Sequence, residues 1–574
     1  MVTAREDTHT RGWWLVAGLL IAAFLARGPL YLSVFPPFEG WDEYQHLDYI
    51  TYLDETGTIP VFDDSWVSVA LRPLLTAVPH SQWGGDQVRQ WGARSYPEYW
   101  NSPAPTTDAD PAAPSLIRLY QAQQPPLAYL VSLPVWHALR TAHPFEAIYA
   151  IRTMNLLLVA AALVLFAAAL TRLVPDFGPR VAVLALVCLY PLFFQNVARI
   201  ANDALAVATG LAGISLLVLA DRRTLLTRGL LAAGCIALSV WAKQTSLTLI
   251  PALILGLPMI GWAYGLSAGR LWRVTIGESV VFLLLVAPLW MWSYQHYGTI
   301  LTTQDSIQLT ARGSVVSALA TSFVNLPWVE LIDTLFVPGR PWVGGWSFLA
   351  MPDTLELLHR WYWILLLTAA AVGAVVAIRR RASSIVGLVS VLRTDGGTLA
   401  RFVVCAAVVV FTALGMTYHG ILSHAVFGRV MTNPWYFMTA LPFLFVLVVH
   451  GLEAISRRLA TAGAAALAVL FVVMDLYGTW VQMPTLYAST TDTTLQWSRL
   501  TAIHPAMLSG DLRWVFLALE LGVLSMVLAA LVYTSRHRAH PASEAGGLPA
   551  FEDAAHIQPE FRLRSRSGDF DREL

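Results

Sequence analysis

The run "PPLAYLVSLPVWHAL" (residues 125–139) decides how this chain is threaded. It is apolar, yet a helix needs roughly 20 residues to cross a bilayer, and Pro125, Pro126 and Pro134 interrupt it. Longer apolar runs lie on either side of it, near 12–34, 147–171, 181–200, 204–220, 229–242, 245–264, 274–294, 361–378, 402–418, 433–452, 461–482 and 514–534. If 125–139 does not cross, the arginine-rich turns all fall on one face, among them Arg172/Arg180, Arg222/Arg223/Arg228, Arg270/Arg273, Arg379/Arg380/Arg381 and Arg457/Arg458. That face is cytoplasmic by the positive-inside rule. If 125–139 did cross, nearly all of those clusters would lie outside. The charge pattern therefore predicts an all-α polytopic protein with about twelve spans, both termini cytoplasmic, and 125–139 interfacial or re-entrant on the outer side.

Composition agrees. The 574 residues are 56% hydrophobic and 13% charged, with a mean hydropathy of +0.56, which places the chain in the membrane class. The formal net charge is zero, so nothing suggests a nucleic-acid partner. Cys188, Cys235 and Cys405 all sit inside apolar runs and are spaced neither for a metal nor for a disulfide framework. The N-terminal "GWWLVAGLLIAAFLA" runs on to about Phe35 and reads as an uncleaved first span rather than a secretory signal. Residues 1–534 read as one transmembrane domain, with outward loops at 35–124, 295–360 and 483–512, and 535–574 as a disordered cytoplasmic tail.

Polar residues collect on the outer side. After the first span comes "FPPFEGWDEYQHLDY" (35–49). On a helix, Asp42 and Glu43 fall four and three residues before His46, so the three side chains can converge. A solvated amphipathic helix in the plane of the interface, a metal site and a general base are all open readings of this stretch. Against the positive-inside trend, Arg27, Arg152, Arg199, Lys243 and Arg429 also fall on the outer side, and Lys243 is the only lysine in the chain. Cations near hydrocarbon need a partner or a cavity. Internal pairing, such as Arg199 with Asp203 at four-residue spacing, is one explanation; a lipid-linked phosphate is another. In the outer loop, Trp328, Trp342 and Trp346 suit interface anchoring, with stacking on sugar rings as the alternative.

Six segments occur in an order that resembles the GT-C superfamily of integral-membrane glycosyltransferases, in particular its protein O-mannosyltransferase and aminoarabinose lipid A transferase branch. They are "WDEYQH", "QAQQPPLAYL", "AIYAIRTMNLLL", "RIANDALAV", "AKQTSLTLIP" and "GRVMTNPWYFMTALP", spread over residues 35–442. The resemblance implies a polyprenyl-phosphate sugar donor in the outer leaflet of a plasma (bacterial inner) membrane. It also implies a glycan, lipid or protein acceptor arriving from the extracytoplasmic side, and an inverting transfer. Asp42 would be the general base, with Glu43 and Asp203 as further catalytic acids. Arg199, Lys243, Arg429, Arg152 and Arg27 would bind the donor phosphate, and His46 and Gln124 would position the acceptor. Gln124 stands where many relatives carry histidine, and Arg429 lacks the aromatic residue that usually follows it. Some branches use a divalent metal ion and others do not, so the metal is left open. A lipid-linked glycan polymerase or ligase of the same superfamily, or a transporter or flippase, is the alternative function; no repeat between the halves favours the transporter.

Overall fold

A computed structural model of the chain describes residues 2–102, 115–313, 315–336, 342–381, 397–503 and 512–537. The tail beyond 537 lies outside them. Every one of the twelve apolar runs is helical, because each removes its backbone polar groups from an apolar surround by bonding within itself. Eight described helices are long and apolar enough to cross a membrane: Arg11–Val34, Pro144–Leu173, Leu225–Ala242, Gln244–Ala263, Ala268–Tyr297, Asp353–Val376, Thr398–Phe427 and Arg457–Tyr487. Phe177–Leu189 and Pro191–Val197, bent by 54°, can be counted as a ninth. Asp203–Leu219 and Leu441–Ile455 are apolar but shorter, and the last described helix, Leu512–His537, is 26 residues long. Proline explains two of these interruptions. Pro191 opens the second half of the bent pair, and Pro434 and Pro442 hold the stretch before Leu441–Ile455 in a tight 3₁₀ turn and a fresh helix start. The chain is a multi-pass membrane protein.

The helices pack through small residues where they cross. A Cβ on Gly373 would lie 1.7 Å from the Gly451 carbonyl oxygen, and one on Gly451 would lie 2.4 Å from that of Ala370. Helices Asp353–Arg381 and Leu441–Ile455 are thus in backbone contact, the close approach that small residues permit in a membrane bundle. Arg27 is enclosed in the same bundle. Its guanidinium pairs with Asp475 at 2.7 Å and Glu520 at 3.5 Å, and donates to the Cys188 carbonyl at 2.8 Å.

The end of the first span and the start of Pro144–Leu173 meet. Arg152 donates to the carbonyls of Phe35 and Pro36 at 2.9 and 2.8 Å, so the 37–143 stretch leaves and rejoins the bundle at one end. Within that stretch, helix Glu43–Thr56 packs against Leu127–Leu139 over a small core that includes Leu47, Tyr49, Ile50, Trp91 and Trp136. The expected interfacial helix is therefore mostly interior: ten of its 14 residues are buried, because the loop folds over it. A second segment is latched to this loop. Trp342–Val343 pairs antiparallel with Leu349–Ala350, and between these strands Gly345 (φ 49°) lies so close to the Glu39 carbonyl that a Cβ would be 2.0 Å from it. Only glycine fits there. Trp346 N donates to that carbonyl at 2.8 Å. Trp328 is 37% exposed, Trp346 packs on Phe348, and the side chain of Trp342 lies outside the described residues.

Candidate active site

The turn after the first span builds the site. Phe38 and Asp42 both have left-handed backbones (φ 65° and 60°), a rare conformation for residues with a Cβ and one that concentrates at functional positions. Gly40 lies between them, where a Cβ would come within 3.0 Å of Arg199 and 3.2 Å of Glu43. The turn sends the adjacent acids in different directions. Glu43 is fully buried and doubly bonded to Arg152, Nε to Oε1 at 2.8 Å and Nη2 to Oε2 at 2.5 Å. It also accepts from the backbone N–H groups of Ile200 at 2.8 Å and Gly40 at 3.3 Å. Every strong donor near Glu43 is used, so Glu43 and Arg152 fasten three chain segments together.

Asp42 stays half-buried at the helix N-terminus, without capping its own helix. Gln121 Nε2 donates to its Oδ2 at 3.1 Å. Burial raises its pKa to about 6, against the opposing charges of Arg199 and Lys243. Those two cations share one carboxylate. Arg199 Nη2 lies 2.9 Å from Asp203 Oδ2, and Lys243 Nζ lies 2.6 Å from Asp203 Oδ1. The Arg199–Asp203 pair suggested by their spacing is therefore real, but it is joined by a lysine 40 residues away. Arg199 is fixed further by the Trp41 carbonyl at 2.6 Å and Asn196 Oδ1 at 2.9 Å.

Aromatic rings form the surround. The Arg199 guanidinium lies 5.0 Å from the centre of the Trp41 ring, which stacks on Trp435 at 4.3 Å. Lys243 Nζ lies 5.1 Å from the centre of the Tyr436 ring. These contacts are cation–π and offset-stacked geometries. His46 does not reach the acids. Its Nδ1 is 2.9 Å from Tyr129 Oη, and burial followed by the charge of Arg199 holds its pKa well below the usual imidazole value, leaving it neutral. Gln124 Oε1 accepts from Asn202 at 3.0 Å, which ties the "QAQQPP" segment to the turn carrying Arg199 and Asp203.

The structure thus brings together Asp42, Asp203, Arg199 and Lys243, with His46 and Gln124 one layer out. It places Arg27, with its two acid partners, and the closed Arg152–Glu43 pair elsewhere. Arg429 is exposed in the turn after Thr398–Phe427, without an ion-pair partner among the described residues. Gln121, Trp41, Trp435 and Tyr436 were not singled out from the sequence, although "NPWY" and "QAQQ" were both in view. Their signal was the aromatic and amide residues flanking the charged ones.

Among the described residues no three His, Cys, Asp or Glu side chains converge as a metal site requires. Both oxygens of Asp203 are already held by cations, so a divalent ion shared between Asp42 and Asp203 would have to displace Arg199 or Lys243.

The fold and site define an all-α membrane protein with a charge-balanced cluster of side chains at one end of its bundle. No family model matches the chain, and no curated protein matches it. Among solved structures, the Archaeoglobus fulgidus oligosaccharyltransferase in its apo form is similar, with 12% identity over 85% of this chain and 56% of that one and a TM-score of 0.39. The archaeal oligosaccharyltransferase AglB of Archaeoglobus fulgidus, in complex with an inhibitory peptide and a dolichol-phosphate, gives the same figures. A form tethered to an acceptor peptide containing the NVT sequon shares 12% identity over 66% of this chain and 47% of that one, with a TM-score of 0.29. The chain spans 56% of the length of the first two.

Proposed function

We propose that this chain is a GT-C-type membrane glycosyltransferase, transferring a sugar from a polyprenyl-phosphate donor to an acceptor hydroxyl at the extracytoplasmic face with inversion. The observation that carries this reading is the charge arrangement around Asp42. Two carboxylates and two cations cluster together, and of the four only Asp42 lacks a direct ion pair. Its pKa of about 6 leaves it ionised at neutral pH yet basic enough to take a proton, as a general base should be.

In the transfer, Asp42 accepts the acceptor's O–H proton while that oxygen attacks the anomeric carbon. The bond from that carbon to the phosphate oxygen breaks, and its electron pair leaves with the polyprenyl phosphate. As Asp42 becomes neutral, Arg199 and Lys243 outweigh Asp203 by one positive charge just as the leaving phosphate gains one negative charge. Preorganised charge of this kind stabilises a transition state more than a ground state. A single base suits one inverting displacement. The arginine-rich turns support placing the cluster outside and both termini inside.

The test is reconstitution of purified protein in liposomes with radiolabelled polyprenyl-phosphate sugars, wild type against Asp42→Asn. Transfer or slow donor hydrolysis by wild type, reduced about 10²–10⁴-fold in the variant with donor binding retained, is expected. Undiminished turnover in the variant removes Asp42 as the base. A label that only moves between leaflets favours the flippase.

A further inference from the structure

A second carboxylate, Asp305, is paired with the imidazole of His419 beside Tyr436. Asp305 lies in the first turn of helix Gln304–Arg312, and His419 lies toward the C-terminal end of Thr398–Phe427. His419 Nδ1 is 2.9 Å from Asp305 Oδ2, and Asp305 Oδ1 accepts from Ser306 N at 3.1 Å. The carboxylate side chain is 3% exposed and the imidazole 23%. The His419 ring centroid is 5.4 Å from that of Tyr436, the same ring that Lys243 lies against. Tyr436 is therefore a wall shared by Lys243–Asp203 and His419–Asp305. The loop between them is fixed, because Gln244, next to Lys243, accepts from Thr302 N at 2.7 Å and donates to the Ile300 carbonyl at 3.1 Å.

The chemistry of the pair follows from its protons. Burial alone would raise the pKa of Asp305, but the hydrogen bond from His419 holds it below the usual carboxylate range. An ionised carboxylate only accepts, so Nδ1 carries the imidazole proton. In the neutral ring Nε2 is then a bare acceptor, its direction set by a buried partner. An acceptor nitrogen suits a hydroxyl and not a phosphate oxygen.

We propose that Asp305 and His419 form a second binding station of the site, where His419 Nε2 accepts a hydrogen bond from a hydroxyl of the sugar being transferred. This rests on the reading of the chain as a polyprenyl-phosphate-sugar transferase. Asp305 is a positioning residue that sets the ring's tautomer and angle, and the station contributes to donor selection rather than to bond breaking.

The experiment compares full-length wild type, His419→Phe, His419→Gln and Asp305→Asn in liposomes. The probes are the best radiolabelled polyprenyl-phosphate sugar, its monodeoxy analogues, and polyprenyl phosphate without sugar as a product inhibitor. His419→Phe should lower kcat/KM for the parent donor by ~10–100-fold, yet cost nothing on the one analogue that lacks the contacted hydroxyl. Inhibition by polyprenyl phosphate alone should be unchanged. His419→Gln, which keeps an acceptor, should recover part of the loss, and it decides the matter if the phenylalanine variant does not fold. Asp305→Asn should show the same selectivity with a smaller loss. Equal losses on every donor, no loss on any donor, or weakened inhibition by polyprenyl phosphate would each overturn the proposal. Wild type that transfers from no donor would instead remove the transferase reading beneath it.

Discussion

Glu43 and Asp42 are neighbours in sequence, yet Glu43 is sealed against Arg152 at 2.5 Å while Asp42 remains half-buried beside Gln121. The left-handed backbone at Asp42 turns one acid into the bundle and leaves the other beside the Arg199–Asp203–Lys243 cluster. Two adjacent acids thus have different surroundings, one fully paired and one without a direct ion pair.

Removing one member of the sealed pair therefore tests stability. Glu43→Ala or Arg152→Met leaves a buried charge unpaired, which costs about 3–5 kcal/mol. Each variant should melt well below wild type in detergent. Glu43→Leu combined with Arg152→Leu should lose less than the two single changes added together, because no charge is then left behind. Additive losses would show that the pair does not act as a unit.

The pH profile tests Asp42. Transfer needs the ionised carboxylate, so kcat/KM should rise with pH through about 6 and level off above it. Gln121 donates to the charged form and lowers that pKa, so Gln121→Leu should move the acid limb to higher pH. A limb that stays in place in Gln121→Leu would show that another group sets it.

These particulars also show what the sequence could and could not disclose. Asp203 lies four residues after Arg199 in one turn, so local spacing sufficed to pair them. Lys243 stood out as the lone lysine, and Asp42 by following the first span. Glu43 and Arg152 are 109 residues apart, and Asp305 and His419 are 114 apart. No periodicity encodes which distant cation an acid will meet, so the sequence placed Glu43 after Asp42 among the candidate catalytic acids without showing its partner Arg152. The helices were legible from apolar runs, because hydrophobicity is a property of the segment. Their lengths were less so, since proline at Pro191 and Pro442 restarts the helix inside a continuous apolar run.

Lys243 should report donor affinity. Lys243→Met removes a charge-assisted contact worth about 1.5–3 kcal/mol, so the donor KM should rise by roughly 10–100-fold. It also leaves Asp203 paired only with Arg199. Lys243→Arg keeps the charge and should recover part of the affinity. Arg27→Gln, by contrast, should leave the donor KM unchanged and lower thermal stability, because Arg27 is bound up with Asp475 and Glu520. A raised KM in Arg27→Gln would return that residue to the donor site.

Glu39 should make the latch between the 37–143 stretch and the 342–350 segment sensitive to pH. Its Oε2 accepts from Tyr96 Oη at 2.8 Å, and its Oε1 accepts from Ser347 Oγ. These hydroxyls favour the charged form, but burial outweighs them and raises the pKa to about 8. A carboxyl whose folded pKa lies above its unfolded value of about 4.5 stabilises the fold fully only below the unfolded value. That contribution is lost as pH rises through about 8. Wild-type Tm should therefore fall between pH 6 and pH 9 by more than that of Glu39→Gln, which fills the same space without titrating. Limited proteolysis should cut the 342–351 segment faster at the higher pH in wild type alone. Parallel Tm profiles for the two proteins would show that Glu39 does not control the latch.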